Sequence, residues 1–307
     1  IIMDPIDLSS KLISFKSISP KSNGSIEFIQ KILQTKKFKC NSLEFGRPKV
    51  KNLYAEYTGG KGPTVCFAGH TDVVPPGDIK EWESNPFKST IKNGNLYGRG
   101  ASDMKTGIAS FLSATILFLE KKQGKFNGCL SFLITSDEEG NADYGTKSVV
   151  EWLKKKKKKI DFCLVGEPTN PSLLGEMVKI GRRGSLNGVI NIKGKQGHVA
   201  YPEKATNPID CLLKVCDVIQ QPLDEGSKIF QPSKLVITSI DVNNKVTNII
   251  PGNAKIRFNV RFNNNFTSNK IIEILEKRIA KVDNYIKISF KVSGESFFNF
   301  SEKLTDA

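Results

Sequence analysis

The run Pro63-Thr-Val-Cys-Phe-Ala-Gly-His-Thr-Asp72 (PTVCFAGHTD) joins an apolar segment of strand length to a histidine and an aspartate. The same join recurs downstream. LITSDEEG (133–140) and CLVGEP (163–168) each end an apolar run on carboxylates, and GRGASDMK (98–105) sets Asp103 between two glycines and a long apolar segment. Between these runs the pattern alternates. Strands are expected at Asn52–Tyr57, Pro63–Gly69, Gly128–Thr135 and Asp161–Val165. Helices are expected from Ser25, which can cap the Ile26, Ile29, Ile32, Leu33 stripe, from about Met104 to Lys122, and near Gly145–Lys158. This rhythm predicts an α/β fold, a sheet with helices on its faces and chemistry-bearing loops at the strand ends.

Near Gly181 the pattern changes. Strand 185–194, helix 207–220, strands 234–242 and 254–263, helix 268–281 and strand 285–292 make a βαββαβ order, that of a ferredoxin-like α+β unit. The expected division is a catalytic domain over 1–180, an insert over 181–292, and a return towards the first domain beginning at 293–307.

Composition narrows the function. A net charge of +15 on 307 residues raises nucleic-acid binding. The charge is almost all lysine, scattered, and no nucleic-acid-binding motif accompanies it, so no nucleic-acid partner is expected. The single block, Lys154–Lys159, reads as a solvated helix end. No run of some eighteen apolar residues exists, so no membrane span is expected. The six cysteines lack a CxxC spacing, and three of them (Cys66, Cys129, Cys163) sit in apolar runs. They read as reduced core thiols of a cytoplasmic protein.

His70 and Asp72 are two apart, so in a strand they share a face, and the carboxylate can orient a metal-bound imidazole through its second nitrogen. An isolated His-x-Asp equally describes a core histidine beside a turn aspartate. Asp103, ahead of a helix, taken alone describes an N-cap. Adjacent Glu138 and Glu139 point opposite ways in extended chain, so one can bind metal while the other acts as general base; alone they also describe an acidic turn. Glu167 follows a buried strand. Together, one imidazole and several carboxylates suit zinc, and two close metals need a shared carboxylate, for which Asp103 is the natural candidate.

The ordered segments GHTDVVPPGD, LYGRGASDMK, LITSDEEG, CLVGEP, GRRGS, QGHVAYP and TNIIPG resemble the succinyl-diaminopimelate desuccinylases of the co-catalytic zinc deacylase and aminopeptidase superfamily. The resemblance runs from about residue 4 to the end of the chain. It implies a zinc-exopeptidase-like mixed sheet with helices on both faces, and an inserted dimerisation domain. It implies that Asp103 bridges two divalent metals, zinc or cobalt, that His70 and Glu167 complete the first site, that Glu139 binds the second, that Glu138 is the general base and acid, and that Asp72 orients His70. It implies that His198 reaches the active site of a partner subunit in a homodimer, and that Arg182, Ser185, Tyr201, Asn248 and Arg261 hold substrate carboxylates, leaving open which of Arg182 and Arg183 faces the substrate. The implied reaction is hydrolysis of a succinyl amide; an acetylornithine deacetylase-like enzyme, another aminoacylase, and an inactive dimerising homologue are the rivals. The resemblance also places a last histidine ligand in a C-terminal segment. The chain has two histidines, both already assigned. The expectation is therefore a chain stopping short of that segment, with a complete first metal site and an incomplete second.

Overall fold

The structure, a computed structural model, describes residues 4–283 and 286–299. They fall into two compact units, Ile1–Leu174 and Gly175–Ala307. In the first, the chain runs α1 (Pro5–Ser14), α2 (Ser25–Thr35), β1 (Lys39–Phe45), β2 (Val50–Thr58), β3 (Thr64–His70), a small hairpin of β4 (Thr90–Lys92) and β5 (Asn95–Tyr97), α3 (Thr106–Lys121), β6 (Cys129–Thr135), α4 (Thr146–Lys155) and β7 (Phe162–Val165). Five strands form one mixed sheet in the order β1-β2-β6-β3-β7. β1, β2 and β6 pair antiparallel, whereas β3 runs parallel to both β6 and β7.

Alternation along the strands explains the two faces. Leu53, Ala55, Phe67, Phe132 and Ile134 point to one side and pack on α1, α2 and α3. Their neighbours Tyr54, Cys66, Ala68 and Leu133 point to the other and pack on Val149 and Leu153 of α4. Helices therefore cover both faces, as parallel strands require. Phe132 sits at the centre of the first core, fully buried, with the rings of Phe38, Phe67 and Phe111 against it.

The sequence reading needs correction in four places. Helix α1 and strand β1 were not expected; α1 begins on Asp4, whose side chain accepts from the Ile6 amide, with Pro5 in its first turn. Ser25 does not cap α2. The cap is Gly24, and the Ser25 hydroxyl is buried, bonding to the Ser22 carbonyl and the Thr71 hydroxyl. Helix α3 starts at Thr106 rather than near Met104, because Asp103 and Met104 leave helical geometry. Cys163 is exposed rather than a core thiol, since β7 lies at the sheet edge among the described residues.

The second unit contains β8 (Gly181–Arg182), β9 (Gly184–Lys193), β10 (Gly197–His198), α5 (Pro208–Ile219), β11 (Lys234–Asp241), β12 (Ile249–Ile250), β13 (Asn253–Phe262), α6 (Ser268–Ala280), β14 (Lys287–Gly294) and β15 (Phe297–Phe298). Its main sheet is antiparallel, ordered β11-β13-β9-β14. That is the ferredoxin-like arrangement, with Leu212, Val215, Ile271 and Leu275 of the two helices packed on Leu186, Ile190, Ile256, Phe258 and Phe262. Gly184 and Gly188 of β9 lie directly across from Phe262 and Phe258, whose rings occupy the space a Cβ would need. Thr267 caps α6, its hydroxyl accepting from the Lys270 amide, and Glu295 accepts from the Ser268 amide and hydroxyl. The expected return segment begins within this unit, where Phe297 and Phe298 pair with Arg182 and Gly181; from Phe300 onward it lies outside the described residues.

Truncating Phe132 to alanine leaves a cavity beneath the sheet. We expect a loss of about 3–5 kcal/mol in denaturant unfolding of the first unit.

Candidate active site

The three parallel strands present their C-terminal ends on one edge of the sheet, where open α/β sheets bind ligands. His70 is the last residue of β3, Glu138 and Glu139 lie just past β6, and Glu167 lies just past β7. The turn Ala101–Lys105, between the hairpin and α3, brings in Asp103. The His70 ring, 1 % exposed, is where they meet. Its Nε2 lies 3.1 Å from Asp103 Oδ1, 3.5 Å from Glu167 Oε1 and 3.9 Å from Glu138 Oε2. His70, Asp103 and Glu139 offer ligand atoms within 4.8 Å of one another. Asp103 is thus not an N-cap: α3 has no side-chain cap, and the Asp103 carboxylate turns to the imidazole.

Asp72 is fully buried, and it meets His70 differently from the carboxylate-to-imidazole hydrogen bond that the spacing suggested. Its backbone carbonyl is the nearest acceptor for His70 Nδ1 at 2.9 Å, with its carboxylate Oδ1 at 3.6 Å. Its Oδ2 accepts from the amides of both Glu138 and Glu139 at 3.0 Å. One side chain therefore links the histidine loop to the diglutamate loop. Asp137, the first acid of the DEEG run, supports that loop by accepting from the Ala142 and Tyr144 amides.

The charges are poorly balanced within this cluster. Burial disfavours charge on His70, yet the carboxylates of Asp72 and Glu167 prevail and push its pKa up to about 11. Burial drives the carboxyls of Asp103, Glu138 and Glu139 above the usual carboxylate range, and neighbouring acids add to it while His70 opposes. Glu167 alone is held low, by its hydrogen bond to His70. Carboxyls pushed towards protonation around one imidazole are what a divalent cation relieves, and the mixed nitrogen and oxygen donors suit zinc.

The remaining sequence candidates belong to the second unit. Ser185 is buried on β9 opposite Arg261 of β13, and its hydroxyl accepts from the Asn259 amide. Arg182 and Arg261 are exposed. His198, on the short strand β10, pairs with Ile249, and its ring lies 6.1 Å from that of Tyr201. The Asn248 carbonyl accepts from the Val199 amide, which places Asn248 beside them.

Sequence reading missed the residues that brace the histidine loop. The Ser17 hydroxyl donates to the Thr71 carbonyl at 2.6 Å, the Ser17 carbonyl accepts from the Val73 amide, and Ser25 reaches the Thr71 hydroxyl. It also missed Lys105, whose signal was its place in GRGASDMK. Lys105 is fully buried, its Nζ donates to the Phe15 carbonyl at 2.9 Å, and burial pulls its pKa down to about 8 against the pull of Asp72.

Residues 66–305 match the family described as Peptidase family M20/M25/M40. The chain belongs to that family. It is 49% identical over 306 residues to the succinyl-diaminopimelate desuccinylase of Wolbachia pipientis wMel, covering 99% of this chain and 76% of the relative. It is 50% identical over 308 residues to that of Pelagibacter ubique, covering 98% and 80%. Among solved structures, the aminopeptidase PepT of Bacillus cereus aligns with a TM-score of 0.72 at 19% identity, over 97% of this chain and 77% of that one. An M20 family metallo-carboxypeptidase of Sulfolobus solfataricus aligns with a TM-score of 0.71 at 19% identity, over 94% and 77%. Among the described residues, no helix of this M20 chain is long and apolar enough to cross a membrane.

Zinc binding at pH 7 should release protons. His70, with its pKa near 11 in the metal-free chain, is protonated there and must lose that proton to donate its lone pair, so affinity rises with pH. Titration calorimetry in buffers of different ionisation enthalpy measures this, and zero release would remove His70 from the ligand set.

Proposed function

We propose that the protein is a metal-dependent amide hydrolase that converts N-succinyl-LL-2,6-diaminopimelate to succinate and LL-diaminopimelate. The observation that carries the reading is the meeting of Asp103, Glu138 and Glu167 on the Nε2 side of His70, with Glu139 alongside. The named desuccinylases at about half identity supply the substrate class. His70, Asp103 and Glu167 would hold one zinc or cobalt ion, and Asp103 with Glu139 a second. Such ions, when bound, lower the pKa of the attacking water and polarise the amide carbonyl.

Glu138 does the proton work. Its carboxylate stands on the rim of the cluster, half exposed, within reach of an incoming water. It takes one proton as the water oxygen bonds to the carbonyl carbon. It returns a proton to the amide nitrogen as the C–N bond breaks, so the amine leaves neutral. The hydrogen bonds to Asp72 hold the Glu138 and Glu139 amides, and so the aim of both carboxylates. Arg182, Ser185, Tyr201, Asn248 and Arg261 are assigned to the substrate carboxylates, which guanidinium groups pair bidentately. Glu138→Gln should abolish turnover of the succinyl substrate while zinc remains bound. Normal turnover in that variant, or faster cleavage of an acetyl than a succinyl substrate, would overturn the assignment.

We infer a homodimer built on the second unit, with His198 serving the partner's site and completing the oxyanion contacts there. Support comes from β11, an edge strand that exposes Val236 and Ile240 at about half their surface, and from exposed Leu213 on α5. Val236→Lys combined with Ile240→Lys should shift sedimentation from dimer to monomer; an unchanged dimer would exclude this edge. The unpaired cysteines fit a cytoplasmic setting.

A further inference from the structure

The chain holds 46 lysines and arginines. Among the described residues only Lys105 is a buried lysine, with 0 % of its surface exposed. It lies two residues after Asp103, and α3 begins at the next position. Its stem passes Gly100, whose φ of +80° suits glycine and where a Cβ would come within 3.1 Å of Lys105 Cδ and 2.6 Å of Val73. Its Nζ then donates to the carbonyl of Phe15, the residue that closes α1. The C-terminal end of a helix favours a cation, so α1 offers both an acceptor and a negative field. The sealed carboxylate of Asp72 also favours the charged form of Lys105. A lone buried ammonium is costly and persists where such neighbours hold it.

We propose that Lys105 is a positioning residue for the Asp103 carboxylate: it ties the turn that carries Asp103 to the end of α1. Through this link it sets where the Asp103 carboxylate lies against His70. It touches neither substrate nor metal. This role explains why α1, remote from the strand ends in sequence, belongs to the catalytic architecture, and it rests on the reading of His70, Asp103, Glu139 and Glu167 as metal ligands.

The test is zinc affinity of the 307-residue chain, measured by competition with a chelating dye, together with thermal melting. Lys105→Met keeps the stem and removes the charge; we expect zinc affinity about 10- to 100-fold weaker, the loss typical of outer partners of metal ligands. Lys105→Arg, which keeps charge and donors, should recover most of it. Leu112→Ala, a core truncation in α3, should lower the melting temperature with zinc affinity unchanged. A merely structural lysine would behave like Leu112. Wild-type zinc affinity in Lys105→Met would overturn the proposal. Should that variant not fold, Lys105→Gln, which keeps one donor to the Phe15 carbonyl, is held to the same comparison. Failure of the wild-type chain itself to bind zinc would instead remove the metal reading on which the proposal stands.

Discussion

Asp72 is a carboxylate sealed from water, and the arrangement of the site depends on what surrounds it. One oxygen accepts two successive backbone amides, which fixes the direction in which Glu138 and Glu139 leave β6. The other faces the His70 ring, whose Nδ1 already bonds the Asp72 carbonyl, so that Nε2 is turned outward to the acids. Burying such a charge is costly unless it is paired and hydrogen-bonded. The partners are all local: two amides and an imidazole. The site is therefore one electrostatic unit rather than a set of independent ligands, and its acids are poised for a cation that completes it.

The sheet explains why these groups can meet at all. Parallel pairing of β3 with β6 and β7 aligns three strand ends, and the register His70 to Thr135 puts the histidine loop directly beside the diglutamate loop. The crossover through α3 returns the chain across one face of the sheet, and the turn ahead of it delivers Asp103. The segment from Phe15 to Ser25 then braces the loop from below through Ser17 and Ser25. Rigid strands set the positions, while the loops carry the chemistry.

Much of this was legible in the sequence. Apolar strand-length runs ending on His70, Glu138 and Glu167 gave the α/β reading, and the strand and helix order between 185 and 292 gave the elements of the ferredoxin-like sheet to within about two residues. The α1 helix was harder to see, because its apolar positions Leu8, Leu12 and Ile13 are few and its neighbours polar. Strand β1 is a half-exposed edge with a weak pattern. At Asp103 local propensity misled: an aspartate before an apolar helix resembles a cap, but tertiary attraction to His70 draws it out of helical geometry. Ser25 is the same case, a cap-type residue captured instead by Thr71. Lys105 was hidden by composition, since one buried lysine cannot be told from many solvated ones until the packing is seen.

Where a metal sits decides whether these side chains are its ligands. Anomalous X-ray scattering at the zinc edge, from crystals of the zinc-loaded chain, locates it directly. The expected result is a peak bound by His70 Nε2 and the carboxylates of Asp103 and Glu167. A peak elsewhere, on the cysteines or on His198, with no density at His70, would contradict it.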